Sequence, residues 1–443
     1  MAAQETVQLV DSPEEALSPR EVRLERGAEV LKWGAFINGA LSIIALLLAF
    51  LGALRIIPNL FPLLHTTLLG RTAGGDDASV AAVVLLLQVD IGYLLVVMVG
   101  ALAREVWSLV ALWLGVIVNI AAVVLLGFTP ALFTIVISVW AGIILSRDVR
   151  AFRMNPVMLK EIRGRMRGVR AFVVLTVYLG LMSGFTALLY LLYLPINQQT
   201  GSAAAGEVGR VLFMGIVGIE LMLIIFIAPA FTSGAITGER ERQTYDLLRT
   251  TLLPSPSFVV GKLESALSYV LLLLLAAIPL QSIAFLFGGV SELELILSFE
   301  ILTVTAIALG TVGIFFSAIA SRTLSASVRA YTTTLVATFG VPLVLTVLLD
   351  IIGAAVRNTS PVIETVLIYL NDFLVSLNPI ATALQTQQLL VDRQVLGFWT
   401  DTLSSNGSTI PRVSPWITFT IIYLVVAAIL VVLSIQRMRK VEQ

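Results

Sequence analysis

The sequence predicts an all-α polytopic membrane protein of about ten transmembrane helices, four accessory ones followed by a six-helix core. Composition is the first reason. The chain is 58% hydrophobic and 13% charged, with a mean hydropathy of +0.97, whereas soluble chains run at about 45–50% apolar and roughly 25% charged. Spacing is the second: ten stretches reach or approach the roughly 20 apolar residues that cross a bilayer. Charge distribution is the third. The 28 basic and 28 acidic residues cancel, but with the N-terminus inside, 22 of the Lys and Arg fall in inner segments and six in outer ones. That is the positive-inside bias, and it gives an even number of spans with both termini cytoplasmic.

Residues 1–32 hold seven acids and four basic residues without an apolar core. They read as a flexible cytoplasmic tail rather than a cleaved signal peptide. An accessory module at 33–146 contains spans at 33–54, 79–102, 106–127 and 131–146, the last two forming a hairpin about Thr129-Pro130. A basic junction at 147–170 leads into the core at 171–436, with spans at 171–194, 211–236, 265–287, 295–320, 331–353 and 416–436. Residues 437–443 form a short cytoplasmic tail. No internal repeat is evident, which speaks against an inverted-repeat carrier.

Two inner segments carry most of the information. Asn155-Pro156 suits a helix start, with Asn capping free amides and Pro in the first turn. Leu159, Ile162, Met166 and Val169 then recur at helical spacing, while Lys160, Arg163, Arg165, Arg167 and Arg170 fill the other faces. Such a helix lies in the membrane interface with its cations near anionic headgroups; plain positive flanking of the next span explains the charge but not the stripe. Further on, Gly238–Arg249 packs six charges into twelve residues between two spans. Helix-forming residues continue to the Pro254-Ser255-Pro256 stop, and Tyr245, Leu248 and Leu252 fall near one side. A polar helix with an apolar edge suits docking into a groove of a soluble partner; a solvated loop is the plainer alternative.

The run Asn155-Pro156-Val157-Met158-Leu159-Lys160-Glu161-Ile162-Arg163-Gly164-Arg165-Met166-Arg167-Gly168 before a span resembles the start of ABC-type export permeases of the type-2 class. So does Ala228-Pro229-Ala230-Phe231-Thr232-Ser233-Gly234-Ala235-Ile236-Thr237 running into Gly238-Glu239-Arg240-Glu241-Arg242-Gln243-Thr244, then Leu247-Leu248, Pro254 and Gly261-Lys262. The resemblance covers about 155–440, closely in its first half and mostly by hydropathy after Lys262. It implies an elbow helix placed by Lys160, Arg163 and Arg167. It also implies a coupling helix near 238–253, with Glu239, Arg240, Glu241, Arg242, Tyr245 and Asp246 docking an ATP-binding cassette subunit. Two permease halves of six spans each, as a homodimer or heterodimer, are implied as well. The four accessory spans are a departure from that pattern.

The chain itself supplies no nucleotide site. A Walker A loop needs Gly-x-x-x-x-Gly-Lys-Ser/Thr, and Gly261-Lys262 has Pro256 five residues back and Leu263 after it. ATP and magnesium are therefore expected only in a partner subunit. With no Cys and one His, His65, no catalytic or metal-ligating residue is assigned. Protease motifs are absent too: there is no His-Glu-x-x-His, and Gly180-Leu181-Met182-Ser183-Gly184 is not a nucleophile elbow. No nucleic-acid partner is expected. The setting implied is the plasma (inner) membrane of a prokaryote.

The outer segment 354–415 carries an apolar helical face from Ile363 to Leu377 and reads as an interfacial or re-entrant helix, followed by a short helix from Asn378-Pro379. Ionisable residues inside spans cost about 2.5–3.5 kcal/mol on insertion scales. Glu220, in the core, is a candidate for the substrate path or for a structural hydrogen bond. Asp90 reads as structural, with Asn119 as a partner. Two readings from other classes stand beside the exporter: a non-transporting scaffold for a soluble complex, and an ion-coupled carrier.

Overall fold

The computed structural model describes residues 19–53, 76–126, 128, 130–148, 156–166, 169–193, 202–245, 254–356, 361–405, 407 and 409–442. The chain is an all-α polytopic membrane protein. Seven helices among the described residues are long and apolar enough to cross a bilayer, or eight if one bent pair counts as a single span. Two further apolar helices, 86–102 and 131–146, are shorter.

The N-terminal module is α1 (Pro19–Ala53), α2 (Asp76–Leu102), α3 (Val106–Leu126) and α4 (Ala131–Ser146). α1 packs on α2 and α4, and α3 on α4, enclosing Leu31, Leu94, Leu112 and Leu145. Arg23 at the start of α1 reaches Asp148 past the end of α4 at 2.7 Å. The ionisable residue inside this module is satisfied by hydroxyl and amide groups rather than by a charge. Thr134 donates to Asp90 at 2.7 Å and itself receives a bond from Asn38 at 2.9 Å. Sequence reasoning named Asn119 for that role, and the Asn119 side chain does hydrogen-bond Asp90 while also donating to the Gly115 carbonyl of its own helix; Thr134 is the further partner it missed.

The remaining chain begins with α5 (Pro156–Met166), α6 (Val169–Tyr193), α7 (Ser202–Ser233) and a single turn, α8 (Thr237–Glu241). α9 (Ser255–Leu286) and α10 (Glu292–Ile319) follow, then α11 (Thr323–Leu335), which runs through a π-helical turn at Val336–Gly340 into α12 (Val341–Val356). α10 is the hub. It packs against α7, α9, α11 and the C-terminal helix α15 (Pro415–Glu442), and 72% of its apolar window is enclosed, against 11% for α6. Its start is fixed by a capping box, Ser291 with Glu294, which satisfies two amides that would otherwise lack partners. Its close approach to α7 rests on Gly313: a Cβ there would lie 1.9 Å from the Thr232 hydroxyl oxygen and 3.1 Å from the Ser233 nitrogen.

Between α12 and α15 lies α13 (Pro361–Val375), bent by 114° from α14 (Pro379–Gln388) and its π-helical extension Leu389–Arg393. Asn378 caps α14 as its sequence suggests, accepting from the Ile380 and Ala381 amides at 2.9 and 3.3 Å. An antiparallel hairpin of β1 (Phe398–Thr402) and β2 (Thr409–Val413) follows, with Trp399 opposite Arg412; it has no counterpart in the sequence reading. Arg412 explains its position. The guanidinium binds Asp372 on α13 and Asp401 on β1 and lies over the Trp399 ring. Burial alone pulls its pKa down, but the two carboxylates outweigh that and hold it above its ordinary value.

The N-terminal module docks on the rest through α2 against α15. At the end of α2 the backbone turns sharply, with Arg104 at φ +60°. Here Ser257 donates to the Ala103 carbonyl, and the Trp107 indole donates to Glu264 at 2.8 Å.

Gly313→Ala should destabilise the protein by about 1–3 kcal/mol, because the overpacking forces α7 and α10 apart and outweighs the helix-propensity gain of roughly 0.5–1 kcal/mol. Gly180→Ala, where nothing lies within 4 Å, should be neutral or stabilising. Thermal unfolding of the two variants in detergent checks the contrast; equal behaviour would remove the close-packing argument.

Candidate functional site

The charged turn after α7 forms a knot where five helices end or begin. Pro229, inside α7 near its end, removes one backbone N–H from the helix ladder, and the Thr232 hydroxyl donates back to the Ala228 carbonyl at 2.9 Å. The chain then turns through Gly234–Ile236 into α8. Two amides of that turn are taken up by one side chain from the hub: Ile236 and Thr237 both donate to the Ser317 hydroxyl of α10, at 2.9 and 3.1 Å.

Three of the charged residues of the turn, Glu239, Arg240 and Glu241, each bind a different neighbour. Arg240 donates to the Ala320 and Ala318 carbonyls at 2.9 and 3.1 Å, where α10 presents carbonyls without helical partners and the negative end of its dipole. Its guanidinium also lies 5.4 Å from the Tyr245 ring centre. Glu241 accepts from the amide and the hydroxyl of Thr323 at 2.7 and 2.8 Å. It thereby caps α11 from another element, since the N-cap residue Arg322 makes no side-chain cap itself. Glu239 accepts from Thr244 and from Lys262 of α9, the latter at 2.7 Å. Lys262 is only 3% exposed, and it also binds Glu161 on α5. One buried ammonium therefore joins α5, α9 and the turn.

The turn closes on itself through Gln243, at φ +56°, with the Gln243 and Thr244 amides donating to the Arg240 and Glu239 carbonyls, each at 3.0 Å. Tyr245 does not form the exposed apolar edge that its spacing suggests. It is buried, edge-on to Phe258 at 6.1 Å, in a cluster with Ile236, Val259, Ile314, Ile435 and Met438. Ala103 of the N-terminal module lies in the same cluster. What remains on the surface is Glu241, Arg242 and Gln243.

Of the residues picked out by sequence, the structure thus gathers Glu239, Arg240, Glu241, Arg242 and Tyr245 at one place, with all but Arg242 engaged inside the chain. Lys160 lies exposed on α5, which packs along α9. The Arg163 side chain, Arg167, Asp246, Leu248 and Leu252 lie outside the described residues. Sequence reasoning missed Lys262, Glu161, Ser317 and Thr323. The signal for Lys262 was present: a lysine opening an apolar span needs a carboxylate once it is buried.

Glu220 lies elsewhere, in the middle of the bundle and fully buried. Gln281 of α9 donates to one carboxyl oxygen at 2.6 Å. The other oxygen and the nearby hydroxyl of Tyr178 have no partner among the described residues. Apolar side chains of α6, α7 and α9 surround them.

Lys262→Met should destabilise the protein by about 3–5 kcal/mol, because it leaves Glu161 and Glu239 facing each other without their cation. Adding Glu239→Gln and Glu161→Gln to it should recover a large part of that loss. Unfolding midpoints of the single and triple variants decide the matter: a harmless Lys262→Met, or a triple variant no better than the single, would deny the ion cluster its role. Comparison with protein-family models and with curated proteins finds no match to this chain.

Proposed function

We propose that the chain is the membrane-spanning permease subunit of an ATP-driven transporter of the ABC type, an exporter of the type-2 class. ATP binding and hydrolysis, with magnesium, belong to a separate ATP-binding cassette subunit. A second permease subunit completes the pathway, and the complex sits in the plasma (inner) membrane of a prokaryote. The charge bias of the loops puts the turn at 234–245 in the cytoplasm with both termini. The ten-span count, four accessory spans plus a six-span core, belongs to this reading.

One observation carries it: a short surface turn, exposing Glu241, Arg242 and Gln243, is bonded rigidly to several membrane helices at once. Ser317 and Arg240 tie it to α10, Thr323 ties it to α11, and Lys262 ties it to α9 and α5. A displacement applied to such a turn is not absorbed locally; it moves the bundle. That is the mechanical requirement for coupling a soluble motor to a membrane path. In this reading nucleotide binding closes two partner ATPases, the turn transmits the motion, and the helices rock to open outward. A scaffold anchoring a soluble complex needs an exposed handle but no rigid link from it to the hub helix, so the links favour the transporter.

Because Glu239 and Glu241 hold internal bonds, reversing them perturbs the fold as well as any docking. Arg242 is exposed, and Arg242→Glu isolates the surface. Purification of the tagged chain from its host should bring down a stoichiometric protein bearing a Gly-x-x-x-x-Gly-Lys-Ser/Thr loop. Arg242→Glu should lower its ATPase stimulation about tenfold, the effect of one interfacial charge worth about 1.4 kcal/mol, at unchanged thermal stability. No ATPase in the preparation, with flux that follows a proton or sodium gradient instead, would replace this reading with the ion-coupled carrier.

A further inference from the structure

At the end of the bundle opposite the charged turn, α7, α10 and α14 line a half-open cavity of about 20 Å³, room for a single water-sized occupant. Its polar lining is Glu294 and Ser298 from α10 and Thr386 and Gln387 from α14, against apolar walls that include Phe213 and Val217 of α7. Glu294 is 7% exposed, and no Lys or Arg among the described residues pairs with it. Its three donors among the described residues are the Ser291 amide and hydroxyl at 3.0 and 2.9 Å and the Gln387 amide at 3.1 Å. An ionised carboxylate offers about four acceptor sites, so one stays unfilled. Thr386, 3% exposed, has a hydroxyl with no partner among the described residues. Ser298 uses its proton on the Leu295 carbonyl, which leaves its oxygen as an acceptor.

These observations share one chemistry. A buried carboxylate is compensated by a cation or by full hydrogen bonding, and the positive end of α10 offsets only about half a charge. Oxygen-only donors select hard cations. A single carboxylate balances a single charge, and no group of three or more His, Cys, Asp or Glu positioned for a metal exists among the described residues. We propose that the cavity binds one monovalent inorganic cation of sodium size, held by Glu294, Thr386, Ser298 and the Gln387 amide oxygen. The ion joins α14 to α10 and so fastens the bent α13–α14 pair over this end of the bundle. The assignment stands apart from the permease reading, since binding at this place requires no ATPase and no flux.

The test is binding of radiolabelled sodium to the purified full-length chain in detergent, with potassium and methylammonium as competitors. Saturable binding of one sodium per chain is expected. Glu294→Gln should abolish it while keeping the helix cap, because Gln serves in a capping box as Glu does. Thr386→Val should weaken it about tenfold, as loss of one direct ligand does. Thr303→Val, which removes another hydroxyl without a partner away from the cavity, should leave it unchanged. Absence of saturable binding would mean that water alone fills the cavity and would overturn the proposal. So would binding that survives both cavity variants, or displacement of sodium by methylammonium at lower concentration, which marks an organic ammonium site.

Discussion

The burial of the Lys262 ammonium organises the end of the molecule that carries the charged turn. A lysine at 3% exposure beside a membrane span is tolerable only if carboxylates come to it, since leaving a buried charge unpaired costs several kcal/mol. Glu239 and Glu161 come from two segments that have no other reason to meet. Their convergence fixes α5 against α9 and fixes the height of the turn relative to α9. Once the turn is at that height, Arg240 reaches the open carbonyls of α10 and Glu241 reaches the first amide of α11. The knot is therefore hierarchical: one desolvated cation sets the position, and helix-end groups that must find partners in any case complete it.

The N-terminal module joins the same hierarchy. Its α2–α3 turn delivers Ala103 into the cluster around Tyr245, and Ser257, one turn before Lys262 along α9, holds the Ala103 carbonyl. The module is thus more than a lipid-facing appendage. It braces the base of α9 from the side opposite α5, so Lys262 sits on a helix held between two supports. Removing the module would expose apolar groups of the knot, Ala103's neighbours among them, as well as the helix faces α2 covers on α15.

How much of this the sequence carried follows from the range of each interaction. The apolar spans, the helix start at Pro156 and the cap at Asn378 depend on near neighbours along the chain, and periodicity or capping chemistry exposes them. The bent pair at 361–393 was legible for the same reason, as a face too polar to cross and a break at Asn378-Pro379. The charged turn was legible as a place but not as a structure. Its amphipathic spacing put Tyr245 outward, whereas burial against Phe258 and Met438 turned it inward, and those partners are distant in sequence. The Glu239–Lys262–Glu161 cluster and the Ser317 anchor were invisible because charge counts do not reveal which residues a tertiary fold brings together. The hairpin at 398–413 escaped because Arg412 is held by Asp372 on another helix, a contact that no alternating pattern within the strands reveals.

The interior differs from both ends in a way that bears on movement. Near Glu220 one carboxyl oxygen and the Tyr178 hydroxyl are buried without partners among the described residues, and each such group costs about 1–3 kcal/mol relative to a hydrated one. The packing of α6, α7 and α9 therefore carries a penalty at its centre. Parting these helices at the Glu220–Gln281 contact admits water, and water removes the penalty. Under the permease reading, this lowers the gap between closed and open arrangements where a passage must form, while the knot stays rigid enough to impose the motion. A stiff lever tied to several helices, acting on a centre that gains hydration when it opens, needs no large conformational strain to alternate.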